Sequence, residues 1–110
     1  MSALEDALAL QLRAARIKFE REVRFAPPRR FRLDFVLPHR LEIEVQGGVW
    51  TRGAHSRGAG QAIDAEKGYL ALLNGYRILY LTTDHIKSGV GLRWIEELME
   101  KYRRLNAPNS

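Results

Sequence analysis

The spacing of hydrophobic positions changes period several times along this chain, and each change marks an element. Leu4, Leu8, Leu12 and Ala15 fall on one helical face behind a capping box of Ser2 and Glu5, so a helix is expected over about residues 3–17. Glu22 to Phe25 reads as a short strand that runs into Pro27-Pro28, a pair no sheet interior accommodates. The period then drops to two. Phe31, Leu33, Phe35 and Leu37 alternate with Arg32, Asp34 and Val36, and Leu41, Ile43 and Val45 alternate with Glu42, Glu44 and Gln46. Strict alternation describes strands with one face in a core. Only Pro38, His39 and Arg40 separate the two runs, which predicts an antiparallel hairpin. Gln61 to Asn74 reads as a helix closed by Gly75, where a left-handed cap belongs, and Tyr76 to Thr82 as a strand. Leu92, Ile95, Leu98, Met99, Tyr102 and Leu105 mark a last amphipathic helix, with Gly89 and Gly91 just before it. The expected order is α-β-β-β-α-β-α, an α/β sheet covered by helices. Asn106 to Ser110 reads as a frayed tail.

A length of 110 residues predicts a single domain, and no repeat or linker divides it. The absence of cysteine excludes a disulfide scaffold, cysteine-ligated zinc and thiol catalysis together. No apolar run approaches the roughly 18 residues of a membrane span. The amino-terminal segment carries acids early and reads as an amphipathic helix rather than a signal peptide, so a cytoplasmic protein is expected. Eighteen Lys and Arg against thirteen Asp and Glu leave a net charge of +5, which favours a polyanionic partner. Residues Gly47 to Gly60 hold five of the nine glycines together with Arg52, His55 and Arg57, and no acid. Loops of that length inside a compact domain are usually functional or disordered.

If Leu37 pairs with Leu41, stepping back along both strands sets Asp34 opposite Glu44 and Arg32 opposite Gln46. Facing carboxylates repel and cost stability. They are kept most readily where a hard cation such as Mg²⁺ sits between them, taking one or two carboxylates plus water and phosphate oxygens. A solvated polar face on an ordinary hairpin is the other reading of the same alternation. The cationic glycine-rich loop, starting one residue after Gln46, favours the metal reading because it sets phosphate-binding groups beside the acids. Metal, cations and a polyanionic partner together point to phosphodiester hydrolysis.

Asp34 followed by Glu44-Val45-Gln46 resembles the signature of the PD-(D/E)XK nuclease superfamily, with Gln where Lys is usual. Further matching elements are Arg21-Glu22-Val23-Arg24-Phe25, Gly47-Gly48, Trp50 and His55, Asp64-Ala65-Glu66-Lys67, and Gly75-Tyr76-Arg77-Ile78-Leu79. The stretch from about Glu22 to Thr82 is similar to small phage and bacterial proteins of that superfamily, and through them to very-short-patch-repair-type endonucleases. The resemblance implies a restriction-endonuclease-like core with a mixed sheet over residues 1–110.

It also implies that Asp34 and Glu44 ligate Mg²⁺, with Mn²⁺ as a substitute, and that the Val45 carbonyl is a third ligand. Gln46 occupies the position from which Lys would orient the attacking water; an amide can donate a hydrogen bond but brings no charge. In some relatives the following helix supplies the Lys. Lys67 is the candidate here, because Ile63, Lys67 and Leu70 share a stripe; the alternative is that Lys67 snorkels outward beside Asp64. His55 would act as a base or contact the scissile phosphate, or else is simply solvated. Trp50 would stack on a base or pin the loop to the domain. Arg29, Arg30, Arg52 and Arg57 would meet phosphates. Glu5 and Glu22 are two candidates for an additional acid near the site, and His39 and His85 read as surface residues.

The implied activity is a Mg²⁺-dependent DNA endonuclease, structure-selective for branched, nicked or mismatched DNA in phage or bacterial recombination or repair. A homodimer would suit a substrate with two strands to cut. The alternative is a catalytically weak nucleic-acid-binding module that kept the fold, with the missing Lys as its support. Phosphate and metal chemistry alone do not separate DNA from RNA as substrate.

Overall fold

A computed structural model describes residues 2–47 and 59–106. The elements are α1 (Ala3–Ala14), β1 (Glu20–Arg24), β2 (Arg32–Leu37), β3 (Leu41–Gln46), α2 (Ala59–Leu73), β4 (Arg77–Thr82), α3 (Thr83–Ser88) and α4 (Val90–Leu105). They form an α/β domain whose four-stranded mixed sheet runs β1-β2-β3-β4, with helices against both faces. β1, β2 and β3 are successive antiparallel neighbours, and β4 returns parallel to β3 after the α2 crossover. Among the described residues no helix is long and apolar enough to cross a membrane.

Ser2 caps α1 by accepting a 3.0 Å hydrogen bond from the Glu5 backbone N–H. The helix ends at Ala14, short of the expected residue 17, because Arg16 adopts a positive φ of 61°. Ile17 N–H then reaches the Leu12 carbonyl at 2.9 Å and Arg16 N–H the Arg13 carbonyl at 3.0 Å, the paired bonds of a Schellman closure. The turn sets Ile17 against the core, and glycine is the residue usually found at such a position. Gly75, at φ 84°, closes α2 in the same way: Tyr76 N–H bonds the Ala71 carbonyl and Gly75 N–H the Leu72 carbonyl.

A short 3₁₀ turn, Pro38–Arg40, joins β2 to β3, and the hairpin adopts the expected register of Leu37 with Leu41 and Phe35 with Ile43. That register turns Phe35, Leu37, Leu41 and Ile43 to one side of the sheet. There they meet Leu8 and Leu12 of α1, Leu81 of β4, Ile86 of α3 and Ile95 of α4, all buried. The opposite side carries Asp34, Glu42 and Glu44 toward α2.

The hydrophobic pattern does not anticipate α3. Its first turn is closed by His85, whose Nδ1 accepts from the Thr82 backbone N–H at 3.0 Å while the ring packs 4.7 Å from Trp94. His85 is thus a half-buried capping residue rather than the surface residue expected. His39 likewise is half-buried, with its ring near Tyr102 and its Nδ1 2.9 Å from Asn106 Nδ2. Asn106, expected to begin the tail, caps α4 through its N–H to the Tyr102 carbonyl. The last helix begins at Val90, so Gly91 lies inside its first turn; a Cβ there would stand 3.0 Å from Leu81 Cδ1.

Arg16→Gly should stabilise the protein by about 0.5–1 kcal/mol although it removes a charge, because glycine adopts a left-handed backbone at little cost. A urea midpoint unchanged or lowered in that variant would contradict the closure described.

Candidate active site

The hairpin register brings Asp34 of β2 beside Glu44 of β3, and the two residues are tied by crossed hydrogen bonds. The Asp34 backbone N–H donates to Glu44 Oε2 at 3.1 Å, and the Val45 backbone N–H donates to Asp34 Oδ2 at 2.8 Å. Each carboxylate therefore takes a backbone donor from the neighbouring strand where the regular ladder stops. On the far side of Asp34, Glu22 of β1 has φ 54° and interrupts the β1–β2 ladder between Arg21 and Val23. Asp34 thus sits at the one β2 position whose partners on both sides depart from regular pairing.

Lys67 completes the cluster from α2. Its Nζ lies 2.8 Å from Glu44 Oε1, with both side chains largely covered. It turns to the sheet and not outward beside Asp64. Burial lowers the proton affinity of this ammonium, but the bond to Glu44 and the charges of Glu44, Asp34 and Glu42 outweigh that, and its pKa is raised overall.

Glu42 belongs to the same cluster and is 1% exposed. Alternation puts it on the polar face, and a polar face reads as wet; α2 covers it instead. Burial, then hydrogen bonding to Glu44 and its charge, push the Glu42 carboxyl far above the carboxylate range. Asp34 is lifted from 3.8 to about 6, mainly by burial and then by Glu44; the Val45 N–H and Lys67 pull the other way, and Glu5 adds a small upward push. Tyr80, which pairs with Glu44 in the β3–β4 ladder, is raised by burial, Glu42 and Glu44.

Gln46 ends β3 in an exposed position on the rim of the same cleft. The Glu5 carboxylate is held by Arg21 at 3.4 Å, and Glu22 by Arg32 at 2.9 Å. Of these two acids, Glu5 is the one whose charge reaches Asp34. Arg29 is drawn to α2 by a 2.9 Å ion pair with Glu66 and lies over the Phe31 ring, while Arg30 is exposed. Trp50, Arg52, His55 and Arg57 lie outside the described residues. Sequence reasoning missed Glu42 and Tyr80, although each occupies an alternate strand position that points to the cleft.

The donor set suits a hard cation. Among the described residues no group of three or more His, Asp or Glu side chains is gathered at metal-binding geometry, so the protein ligands on offer are the paired carboxylates. Mg²⁺ is commonly held by one or two carboxylates and otherwise by water and phosphate. Three carboxyl groups face one ammonium here; burial first and the Glu44 charge second raise the Asp34 proton affinity, and a cation beside the pair would offset the second of these.

No protein-family model matches the chain, and no curated protein matches it. Among solved structures, it is similar to the catalytic domain of the homing endonuclease I-Bth0305I, with a TM-score of 0.60 and 18% identity over 98% of this chain and 100% of that one. The two share a fold.

The elevated Asp34 pKa sets a sign for stability. Its folded value of about 6 exceeds 3.8, so its contribution is fully present below pH 4 and is lost as pH rises through 6. Without metal, Asp34→Asn should therefore be more stable than wild type at pH 7.5, with the difference shrinking toward pH 4. Urea denaturation across that range checks it; an advantage independent of pH would show that the Asp34 charge is not the cause.

Proposed function

We propose that this chain is a divalent-metal-dependent DNA endonuclease of the PD-(D/E)XK type. The observation that carries the reading is the convergence of Asp34, Glu44 and Lys67, from two adjacent strands and the helix that crosses over them, on one partly covered cleft. The fold shared with a homing endonuclease catalytic domain supports it, and so does the net charge of +5.

In this reading Asp34 and Glu44 hold Mg²⁺, with the Val45 carbonyl as a further donor and Mn²⁺ as a substitute. When bound, the ion polarises the phosphate and lowers the pKa of a bound water. Asp34 and Glu44 start from an arrangement that backbone N–H groups already hold in place, so little reorganisation accompanies loading. Lys67 supplies the positive charge that Gln46 lacks. Its bond to Glu44 fixes the ammonium beside the carboxylates, where it orients the nucleophilic water or offsets charge developing on the phosphate. Gln46, on the rim, donates a hydrogen bond to the same water or phosphate. His55 would act as a base or contact the scissile phosphate, Trp50 would stack on a base or sugar, and Arg52, Arg57, Arg29 and Arg30 would meet phosphates.

Branched, nicked or mismatched DNA, as met in recombination and repair, is the substrate class of this reading, and a homodimer would place a second cleft on the second strand.

Cleavage of branched and linear DNA with and without Mg²⁺ tests the reading. Cutting should require the metal and should be lost in Asp34→Asn and Glu44→Gln. Lys67→Ala should slow single-turnover cleavage by roughly two to three orders of magnitude, the usual effect of removing one charge-stabilising donor, and Gln46→Ala by far less. A Lys67→Ala rate close to wild type would refute the assignment of the cation to α2.

A further inference from the structure

Between the inner face of α2 and strands β3 and β4 lies a cavity of about 460 Å³, inside the roughly 300–1,000 Å³ range of small-ligand sites. Glu44 and Lys67 form part of its wall, so it opens directly beside the proposed cleavage centre. The metal, the attacking water and the phosphate do not account for three features of the rest of it.

The first is Gly68, in the interior of α2, where glycine is unfavourable relative to alanine. A Cβ built at Gly68 meets nothing within 4 Å, so no packing contact demands its absence; what the missing side chain preserves is room in the cavity. The second is Tyr80, an aromatic wall 52% exposed, neighboured by apolar Ile78 and Ala71. The third is Glu42 at the buried end, whose Oε2 has no hydrogen-bond partner. That oxygen is itself covered, so what Glu42 gives the cavity is a polar carboxyl group in the wall at its inner end. Gln46 and Asp64 add polar atoms around the cavity.

A flat ring, apolar on its faces and polar at its edge, satisfies all three together. We propose that the cavity takes an unpaired nucleobase adjacent to the phosphate being cut, stacked on Tyr80 with its polar edge toward Glu42. The proposal rests on the nuclease reading and narrows its substrate class, because a base enters only where pairing is already broken, at a bulge, a mismatch or a branch. An unpaired base gives up less on leaving the stack than a paired one does, so the pocket would itself be a source of structure selectivity.

Fluorescence anisotropy with EDTA present, so that no strand is cut, tests this on two duplexes. One carries a single unpaired 2-aminopurine and the other an abasic site at the same position. The wild-type protein should bind the 2-aminopurine duplex roughly 5- to 150-fold more tightly, the range expected for stacking one base on an aromatic side chain. Tyr80→Ala and Gly68→Leu, which remove the wall and fill the space, should each bring its affinity down to that of the abasic duplex. Gly68→Ala serves as the fold-safe version, since its Cβ enters open space in a helix, and it should reduce the preference in part. Equal affinity for the two duplexes, a preference that survives Gly68→Leu, or no binding to either would overturn the proposal. A base preference without Mg²⁺-dependent cleavage would leave the pocket standing and sink the nuclease reading; cleavage without the preference would do the reverse.

Discussion

The crossed hydrogen bonds between Asp34 and Glu44 are the constraint on which the rest of the site depends. Two carboxylates on facing strand positions repel, and in a regular ladder nothing compensates. Here each carboxylate accepts a backbone N–H from the other strand, so the residues that break the ladder also satisfy it. The arrangement tolerates two partly buried carboxyl groups a strand apart, while Asp34 is lifted to about 6 by its burial first and by the Glu44 charge second.

That constraint reaches outward through the topology. A parallel β3–β4 pair needs a crossover, and the crossover helix α2 must lie on the face that Glu42, Glu44 and Asp34 share, because α1, α3 and α4 fill the other. Covering that face buries Glu42 and brings Lys67 onto Glu44. One topological requirement therefore supplies the cation, the partial desolvation that strengthens its pull, and the cavity beside it. The apolar core on the opposite face holds β2 and β3 in register, so positioning of the acids is inherited from packing of Phe35, Leu37, Leu41 and Ile43.

Much of this was readable from the chain. Two alternating runs joined by three residues admit few registers, and the one that pairs Leu37 with Leu41 is observed. The Ile63, Lys67 and Leu70 stripe placed Lys67 on a face that does turn to the sheet, although Ile63 is itself half exposed. What was not readable has local causes. Arg16 occupies a left-handed cap with no glycine to announce it, whereas Gly75 announces the equivalent cap on α2. The α3 segment is six residues long, too short to show a helical period, and its capping box of Thr82 and His85 has His where Glu or Gln is usual. The burial of Glu42 follows from which helix lands on which face, information that strand alternation lacks.

The central claim is that Asp34 and Glu44 together hold a divalent cation. Titration of the protein with Mn²⁺, followed by electron paramagnetic resonance of the free ion, measures it without requiring turnover or DNA. Wild type should take up the ion at a site from which Mg²⁺ displaces it, and Asp34→Asn and Glu44→Gln should each weaken that uptake by at least an order of magnitude. Uptake unchanged in both variants would contradict the account.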